Sequence, residues 1–265
     1  MTTLSILGAA GRMGRMLVTC AAERPGARVA AAVEQPNHPA LGQDAGTLAG
    51  LPALGVAVTD AWQGRDVATV VVDFTFHDAT AANLQNAIAH NQAVVLGTTG
   101  HTDAENALIL DAAKKIPIVR AANFSLGVNL LLDLVRRAAS ALDPAYDVEI
   151  IETHHRLKKD APSGTALALA QSVAEGRRVN LNDVATYGRR GIVGERPVGG
   201  IGVHAVRGGD VVGDHTVLFA ALGERVEITH KASSRDCFAG GALRAALWLD
   251  GKPAGLYDMR DVLKG

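Results

Sequence analysis

The sequence has 265 residues, of which 48% are hydrophobic, 20% charged and 4% aromatic, and its formal net charge is -1. This composition is typical of a globular protein with a hydrophobic core, and it disfavours wholesale disorder and nucleic-acid binding through bulk charge or base stacking. No run of about 18 apolar residues and no signal-peptide pattern is present. The two cysteines, Cys20 and Cys237, form no CxxC motif. We therefore expect a cytoplasmic protein without a membrane span, a disulfide framework or a cysteine-based zinc site.

The first 120 residues alternate between short apolar runs and segments with helical spacing. One run lacks any polar alternation, as expected of a strand that is buried on both faces. Thr102 and Glu105 form a capping-box pattern at the start of one helix. Strands that alternate with helices indicate βαβ units and a parallel sheet. The predicted strands are Thr2–Leu7, Arg28–Val33, Val67–Phe74, Ala93–Leu96 and Ile116–Ala121, and the predicted helices are Met13–Ala22, Asp78–His90 and Thr102–Lys114.

The second half has a different order of elements, which predicts a separate and largely antiparallel sheet. Gly208 and Gly209 indicate a hairpin turn between two consecutive strands. A segment rich in glycine, arginine and proline, Arg177–Gly200, is typical of a mobile loop. The predicted helices are Leu126–Leu142, Ser163–Ala174 and Cys237–Leu249, and the predicted strands are Asp147–Glu152, Ile201–Val206, Val211–Ala220 and Arg225–Lys231.

A glycine-rich segment, Gly8–Gly14, follows the first predicted strand and opens the first predicted helix. Its G-x-x-G-x-x-G spacing allows a tight turn in which backbone N–H groups approach a pyrophosphate. Glu34 ends the second predicted strand, where a carboxylate accepts hydrogen bonds from the ribose hydroxyls of a dinucleotide. The pattern favours dinucleotide binding, and the alternative is an ordinary turn between a strand and a helix.

Two further segments follow consecutive predicted strands, Gly97–Thr99 and Ala121–Phe124. Ligands of open parallel sheets bind at the carboxyl ends of the strands. We therefore expect both segments to line the nicotinamide end of a dinucleotide site. Either segment by itself is also consistent with ordinary loop chemistry.

The segment from Glu152 to Thr165 concentrates two histidines, three cations and two carboxylates before a predicted helix. A basic loop beside the exposed N–H groups of a helix start suits a small ligand with several negative charges. A histidine there can act as a general acid or base near neutral pH. One alternative is a solvated charged loop in which Ser163 merely caps the helix. The other is a zinc site, which we disfavour because no third ligand has suitable spacing, so we expect no metal.

The motif E-x-H-H-x-x-K-x-D-A-P-S-G-T-A, at Glu152–Ala166, resembles the signature of the 4-hydroxy-tetrahydrodipicolinate reductase family, also called dihydrodipicolinate reductase. The resemblance extends in order over nearly the whole chain. The other matching motifs are GAAGRMG at Gly8–Gly14, DFT at Asp73–Thr75, GTTG at Gly97–Gly100, AANFSLGVN at Ala121–Asn129, GDHTVLFA at Gly213–Ala220, ERVEITHKASSR at Glu224–Arg235 and GLYDMRDVL at Gly255–Leu263.

The resemblance implies an α/β fold with two domains. Residues 1–125 and 236–265 would form a Rossmann-like parallel-sheet domain that binds the dinucleotide. Residues 126–235 would form an α+β domain with a mixed sheet, which binds the substrate and joins subunits into a homotetramer. The implied reaction is the NAD(P)H-dependent reduction of 4-hydroxy-tetrahydrodipicolinate, a cyclic dicarboxylate, to tetrahydrodipicolinate with loss of water. This reaction belongs to the diaminopimelate route of lysine biosynthesis.

The resemblance also implies roles for individual residues. The catalytic residues would be His154 and Lys158, with Lys158 as the proton donor. The substrate-binding residues would be His155, Gly164 and Thr165. The positions that bind NADH or NADPH would be Gly8, Ala9, Ala10, Gly11, Arg12, Met13, Glu34, Gly97, Thr98, Thr99, Ala121, Ala122, Asn123 and Phe124.

One departure from the family pattern affects cofactor preference. The position after the ribose-binding acid is often arginine in relatives, where it helps to hold a 2′-phosphate, and here it is Gln35. Arg12 is still available for that phosphate. Two other functions remain to be weighed, namely a generic two-domain NAD(P) dehydrogenase acting on a sugar or an amino-acid semialdehyde, and a non-catalytic NAD(P)-sensing regulator. The presence of both His154 and Lys158 disfavours the regulator.

Overall fold

The computed structural model describes residues 1–265. The chain forms two compact units, one made of residues 1–126 with 236–265 and the other of residues 127–235. We call them the first and the second unit. Their bounds differ by one residue from the division expected after residue 125. No helix combines the length and the apolar character that crossing a membrane requires.

The first unit contains a parallel sheet of seven strands. The strands are β1 (Thr2–Leu7), β2 (Ala27–Val33), β3 (Val58–Thr59), β4 (Val70–Asp73), β5 (Ala93–Leu96), β6 (Pro117–Arg120) and β12 (Gly255–Tyr257). Their order across the sheet is β12-β6-β5-β4-β1-β2-β3. The order reverses between β1 and β4, and such a reversal leaves a crevice at the carboxyl ends of the strands. The expected Rossmann-like sheet is confirmed.

Helices cover both faces of this sheet. They are α1 (Arg12–Glu23), α2 (Ala45–Leu48), α3 (Thr80–Ala89), α4 (Asp103–Ala113), α8 (Asp236–Leu249) and α9 (Met259–Lys264), with one 3-10 turn at His77–Ala79. Side chains of β1 such as Leu4 and Ile6 pack with α1 and α8. Leu7 and Val71 point to the opposite face and pack with α3 and α4. Burial on both faces explains why these strands are continuously apolar.

Several elements of the first unit differ from the sequence prediction. The capping box of Thr102 and Glu105 is confirmed, since each side chain accepts the backbone N–H of the other residue. The strand predicted at Val67–Phe74 is shorter, because only Val70–Asp73 pairs with its neighbours. The elements α2, β3, β12 and α9 were not predicted. They have six residues or fewer, which is too short for a periodic pattern.

The second unit contains a mixed sheet of five strands, covered on one face by helices. The strands are β7 (Asp147–His154), β8 (Ala185–Tyr187), β9 (Ile201–Arg207), β10 (Gly213–Ala221) and β11 (Glu224–Ala232), and the helices are α5 (Leu126–Ala141), α6 (Gly164–Arg177) and α7 (Leu181–Val184). The order is β11-β10-β7-β9-β8. Val148 and Ile150 of β7 pack beneath α5 and α6 together with Val203 and Val217. The mixed sheet implied by the family resemblance is confirmed.

The predicted hairpin at Gly208–Gly209 is wrong. The strands on either side of it, β9 and β10, do not pair with each other but flank β7, β9 in parallel and β10 antiparallel. The turn instead passes the end of β7, where the Gly208 N–H donates to the carbonyl of His154 at 2.9 Å. Residue periodicity identifies a strand but not its partner, so the largely antiparallel sheet inferred from chain order was also wrong.

The loop predicted at Arg177–Gly200 is only partly a loop. Helix α6 continues to Arg177, and the segment then forms α7 and the edge strand β8. The strand β8 pairs in parallel with β9. Strand β7 also extends two residues beyond the predicted end at Glu152, so His154 belongs to the sheet and not to the polar loop.

Candidate active site

The turn between β1 and α1 is closely packed. Gly8 has a φ of +65°, a conformation that glycine adopts without strain. A Cβ at Gly14 would lie 2.1 Å from the carbonyl oxygen of Gly8, so α1 lies directly against the turn. Gly11 caps the helix, and its N–H donates to the Gly8 carbonyl at 3.0 Å. A turn this close to a helix N-terminus fits the pyrophosphate of a dinucleotide.

Glu34 contacts this turn directly. Its Oε1 accepts the Ala10 N–H at 2.9 Å, and its Oε2 accepts the Gln35 N–H at 3.2 Å. The neighbouring Ala9 N–H donates to the carbonyl of Val33 at 3.2 Å. The N–H groups of Ala9 and Ala10 are therefore used by the protein, which leaves those of the first helical residues, Arg12 and Met13, to meet an anion.

Asp73 organises the carboxyl ends of β4 and β5. Its carboxylate is 1% exposed, and Oδ1 accepts the Thr75 N–H at 2.9 Å and the Thr75 hydroxyl at 2.6 Å. Its Oδ2 accepts from Asn83 Nδ2 at 2.9 Å. Thr98 donates to the carbonyl of Thr75 at 3.3 Å. The predicted cofactor residue Thr98 is thus tied to Thr75 in the loop after β4, and the buried Asp73 carboxylate in turn holds Thr75.

Phe74 and Phe124 pack against each other in the loops after β4 and β6. Their ring centroids lie 5.3 Å apart, and a Cβ at Gly97 would overlap the Phe74 ring. Phe124 is 1% exposed over the whole residue, so it offers a ligand almost no surface. A Cβ at Gly241 in α8 would lie 1.7 Å from the Phe124 carbonyl oxygen, so α8 supports this loop directly. Of the other predicted residues, Thr99 and Ala122 are exposed, and Ala121 and Asn123 are half-buried.

The centre of the polar cluster in the second unit is Glu152, which is fully buried on β7. Its Oε2 accepts from His154 Nδ1 at 2.5 Å, and its Oε1 accepts the Ser163 N–H at 3.0 Å. Arg207 on β9 binds both oxygens, each at 2.8 Å. Burial alone would raise the pKa of Glu152, but the hydrogen bonds from Arg207, His154 and Ser163 outweigh it and lower that pKa.

His215 on β10 lies beside the same cluster. Its ring centroid is 5.1 Å from that of His154, with the two rings nearly perpendicular. Burial lowers the pKa of His215 to about 4, and the neighbouring His154 adds to this shift. His215 is therefore neutral near pH 7. Its Nε2 lies 3.2 Å from the hydroxyl of Ser163, which in turn accepts the Ala166 N–H at the start of α6.

The loop after β7 carries Lys158, whose side chain is 21% exposed. Its Nζ lies 3.0 Å from Asp160 Oδ1, and this contact lowers the pKa of Asp160. The backbone of the loop is tied to the segment after β9, since the His155 N–H donates to the Val211 carbonyl at 2.7 Å. Lys158 is thus a partly exposed cation that is paired with Asp160, and it lies four residues after the buried His154.

Gly164 and Thr165 form the first turn of α6, directly after the capping residue Ser163. The first N–H groups of a helix are not used by its own ladder and carry partial positive charge. Gly164 is exposed, and nothing lies within 4 Å of the position that a Cβ would take there. The helix start therefore lies beside the Glu152 cluster, with open space at Gly164.

Sequence reasoning did not single out Glu152, Arg207 or His215 as functional residues. Glu152 stands first in the E-x-H-H motif, and His215 lies within GDHTVLFA, so the motifs contained a signal for both. Glu152 and His154 lie on β7 and are buried, with 0% and 8% exposure. The loop that follows is exposed at Arg156, Lys159 and Asp160, and Ser163 caps α6, as the solvated-loop alternative expects for that part of the segment. No group of three or more His, Cys, Asp or Glu side chains is arranged to hold a metal ion.

The chain matches known proteins over its whole length. Residues 2–124 match the family model described as dihydrodipicolinate reductase, N-terminus, and residues 127–263 match the model described as its C-terminus. Two curated relatives are named 4-hydroxy-tetrahydrodipicolinate reductase. The one from Anaeromyxobacter dehalogenans (strain 2CP-1) is 52% identical and covers 99% of this chain and 98% of its own. The one from Hahella chejuensis is 51% identical and covers 99% of both chains.

A solved structure agrees with these matches. The dipicolinate-bound dihydrodipicolinate reductase from Paenisporosarcina sp. TG-14 has a TM-score of 0.76 and 25% identity, and the match covers 97% of each chain. The matches favour the reductase over the generic dehydrogenase and the regulator. The chain belongs to the dihydrodipicolinate reductase family.

Proposed function

We propose that this chain reduces 4-hydroxy-tetrahydrodipicolinate to tetrahydrodipicolinate with NADH or NADPH, in the diaminopimelate route of lysine biosynthesis and in the cytoplasm. The reaction adds one hydride and one proton to the substrate and removes one water. The observation that carries the proposal is the polar cluster around Glu152 and His154. It lies at the start of α6, within the part of the chain that matches the C-terminal family model.

The substrate side of the proposal uses the charges of this cluster. The substrate has two carboxylates, so it requires cations and N–H donors. Gly164 and Thr165 supply the N–H groups of a helix start, and His155 binds the other end of the substrate. Reduction of a conjugated C=N system develops negative charge, and Lys158 delivers a proton where that charge develops. His154 completes the catalytic pair.

The cofactor side uses the first unit. The bound dinucleotide supplies the hydride. The turn at Gly8–Gly14 and the N–H groups of Arg12 and Met13 hold its pyrophosphate, and Glu34 accepts from the adenosine ribose. Gly97–Thr99 and Ala121–Phe124 line the nicotinamide end. The contacts of Asp73 with Thr75 and of Thr75 with Thr98 support this arrangement, because they hold the two loops after β4 and β5 together.

The experiment measures NADH oxidation by the purified protein. The substrate is made in the same reaction mixture by the synthase that precedes this step in the diaminopimelate route. We expect oxidation that depends on the synthase and its substrates. The variant His154→Gln should lose most of it while still binding NADH, as measured by fluorescence. Oxidation that is absent in the wild type, or unchanged in the variant, would reject the proposal or its assignment of His154.

We also infer that the protein is a homotetramer assembled through the second unit. The face of the mixed sheet opposite α5 and α6 carries side chains that include Ile151, 38% exposed, and Val206, 46% exposed. Light scattering after size exclusion should give four times the chain mass, and Ile151→Glu should reduce it. A monomer in the wild type would reject the inference.

A further inference from the structure

We propose that Glu152 is a positioning residue for His154. It holds the imidazole with the Nδ1 hydrogen toward its own carboxylate and leaves Nε2 to face the substrate. The inference rests on the proposed function, in which His154 acts on that substrate. Glu152 itself is fully buried and does not need to touch the substrate.

The first support is the hydrogen bonding of the Glu152 carboxylate. Each oxygen accepts two hydrogen bonds, so the carboxylate cannot rotate without losing partners. The donors come from three elements: His154 on β7, Arg207 on β9 and Ser163 at the start of α6. An ionised carboxylate only accepts hydrogen bonds, so the neutral imidazole must carry its hydrogen on Nδ1. The unprotonated nitrogen is then Nε2.

The second support is the close approach of Gly213 to Nε2 of His154. Gly213, on β10, lies next to the His154 ring, and a Cβ there would be 3.0 Å from Nε2 and 3.4 Å from Cδ2. A larger residue would crowd the nitrogen that the proposal assigns to the substrate.

The third support is the balance of charge around the imidazole. Glu152 stabilises a positive charge on His154, and Arg207 opposes it while binding the same carboxylate. The other groups around this cluster are the neutral His215 on β10, His230 on β11, and Lys158 and Asp160 in the loop after β7. If Glu152 and Arg207 act through His154, then removing each of them must shift the titration of His154 in opposite directions.

The test follows His154 directly by NMR of protein labelled with 15N-histidine, with the resonances assigned from the spectrum of His154→Gln. In Glu152→Gln the titration midpoint of His154 should fall, because the neighbouring negative charge is removed, and in Arg207→Met it should rise, because a neighbouring positive charge is removed. At alkaline pH the wild type should show a protonated Nδ1 and an unprotonated Nε2. Glu152→Gln should show both tautomers, because an amide can donate as well as accept.

Kinetics supply a second readout and a matched control. Glu152→Gln should lower kcat about tenfold or more, with KM within about twofold, because a mis-set tautomer affects the reaction more than binding. The control is Glu149→Gln, on the same strand but the opposite face, where the carboxylate also binds arginine and histidine. Glu149→Gln should change neither the titration of His154 nor kcat.

The outcomes separate this inference from the proposed function. Failure of the wild type to oxidise NADH with substrate would reject the function and leave the NMR result standing by itself. Unchanged titration of His154 in either Glu152→Gln or Arg207→Met, in an active enzyme, would overturn the positioning role. Arg207→Met keeps the test valid if Glu152→Gln does not fold, because a fall or no change in its midpoint also contradicts the proposal.

Discussion

The residues proposed to act on the substrate differ sharply in how they are held. His154 is buried at the end of a strand and hydrogen-bonded to a buried carboxylate. Lys158 lies in a loop, is partly exposed, and is paired with the exposed Asp160. An exposed ion pair contributes little to stability, so Lys158 can exchange Asp160 for another anion at small cost. This difference predicts different kinetic effects for individual substitutions.

Lys158→Ala should lower kcat by about 10²–10⁴-fold with little change in KM, the expected result for loss of a general acid. His155→Ala should instead raise KM and keep most of kcat, because it removes a ground-state contact to a carboxylate. Steady-state kinetics with varied substrate measures both effects.

Lys159→Ala is the matched control for this pair, since it removes the neighbouring exposed lysine. It should behave as wild type, and circular dichroism should show all three variants folded. A Lys158→Ala defect that saturating substrate removes completely would make Lys158 an anion anchor, and His154 or water would then deliver the proton.

The cofactor preference depends on Glu34 and Gln35. Glu34 places a carboxylate at the turn after β1, which repels a 2′-phosphate, and Gln35 lacks the charge that would offset it. We expect kcat/KM with NADH to be at least as high as with NADPH. Gln35→Arg should raise kcat/KM for NADPH about tenfold or more, because a charge-assisted arginine–phosphate bond contributes roughly 1.5–3 kcal/mol.

The same variant should keep its kcat/KM for NADH within about twofold, which serves as the internal control. A strong preference of the wild type for NADPH would contradict the prediction. Arg12, which is exposed at the start of α1, would then be sufficient to hold the 2′-phosphate.

At the scale of elements, the cofactor loops depend on helices packed closely against them. Helix α1 lies against the turn after β1 at Gly14, and α8 lies against the loop after β6 at Gly241. Neither contact leaves space for a side chain. The neighbouring Gly240, also in α8, has nothing within 4 Å of its Cβ position. Substituting each of these adjacent glycines therefore distinguishes the effect of helix propensity, measured at Gly240, from the effect of close packing, measured at Gly241.

Gly241→Ala should lower the free energy of unfolding by about 1–3 kcal/mol or more, because the new methyl group overlaps the Phe124 carbonyl. It should also weaken NADH binding, since the loop Ala121–Phe124 must shift. Gly240→Ala should raise the free energy of unfolding by about 0.5–1 kcal/mol, because alanine favours the helix. Urea unfolding and fluorescence titration measure these quantities. Equal effects of the two substitutions would contradict the prediction, because they would show that α8 shifts to make room for the methyl group at Gly241.

For the molecule as a whole, a second, partly exposed charge network lies on the open face of the mixed sheet. Glu149 of β7 binds Arg189 and Arg196 at 2.8 Å and His204 at 2.6 Å. Its side chain extends across β9 at Gly202, where a Cβ would overlap the carboxylate. Burial alone would raise the pKa of Glu149, but the arginines and His204 lower it to about 2.

This network predicts how stability depends on acid. A carboxylate whose folded pKa of about 2 lies below its unfolded value stabilises the protein above the unfolded pKa, and this contribution is lost as the pH falls through the folded pKa. The contribution of Glu149 is at most about 3 kcal/mol, at about 1.4 kcal/mol per pKa unit. Urea unfolding of the wild type and Glu149→Gln should therefore give free energies that converge between about pH 5 and pH 2. Parallel curves would contradict this.

Much of the fold could be predicted because its signals are local. The buried parallel strands, the capping box at Thr102 and the glycine turn at Gly8–Gly14 each depend on a few consecutive residues. The errors occurred where a partner had to be chosen. The hairpin at Gly208–Gly209 was wrong because β7 lies between its two strands, and the loop at Arg177–Gly200 concealed the edge strand β8, which has only three residues.

The sequence by itself determined the family, the dinucleotide turn and the motif that contains His154 and Lys158, because these features are written in consecutive residues. Only the tertiary structure decided how the motif is held. Glu152 and Arg207 stand 55 positions apart, and His215 is 52 positions from Ser163. The pairing of β7 with β9 and β10 brings them together around one buried carboxylate. A buried charge must be satisfied by groups that reach it in space, and no spacing along the chain specifies which groups those are.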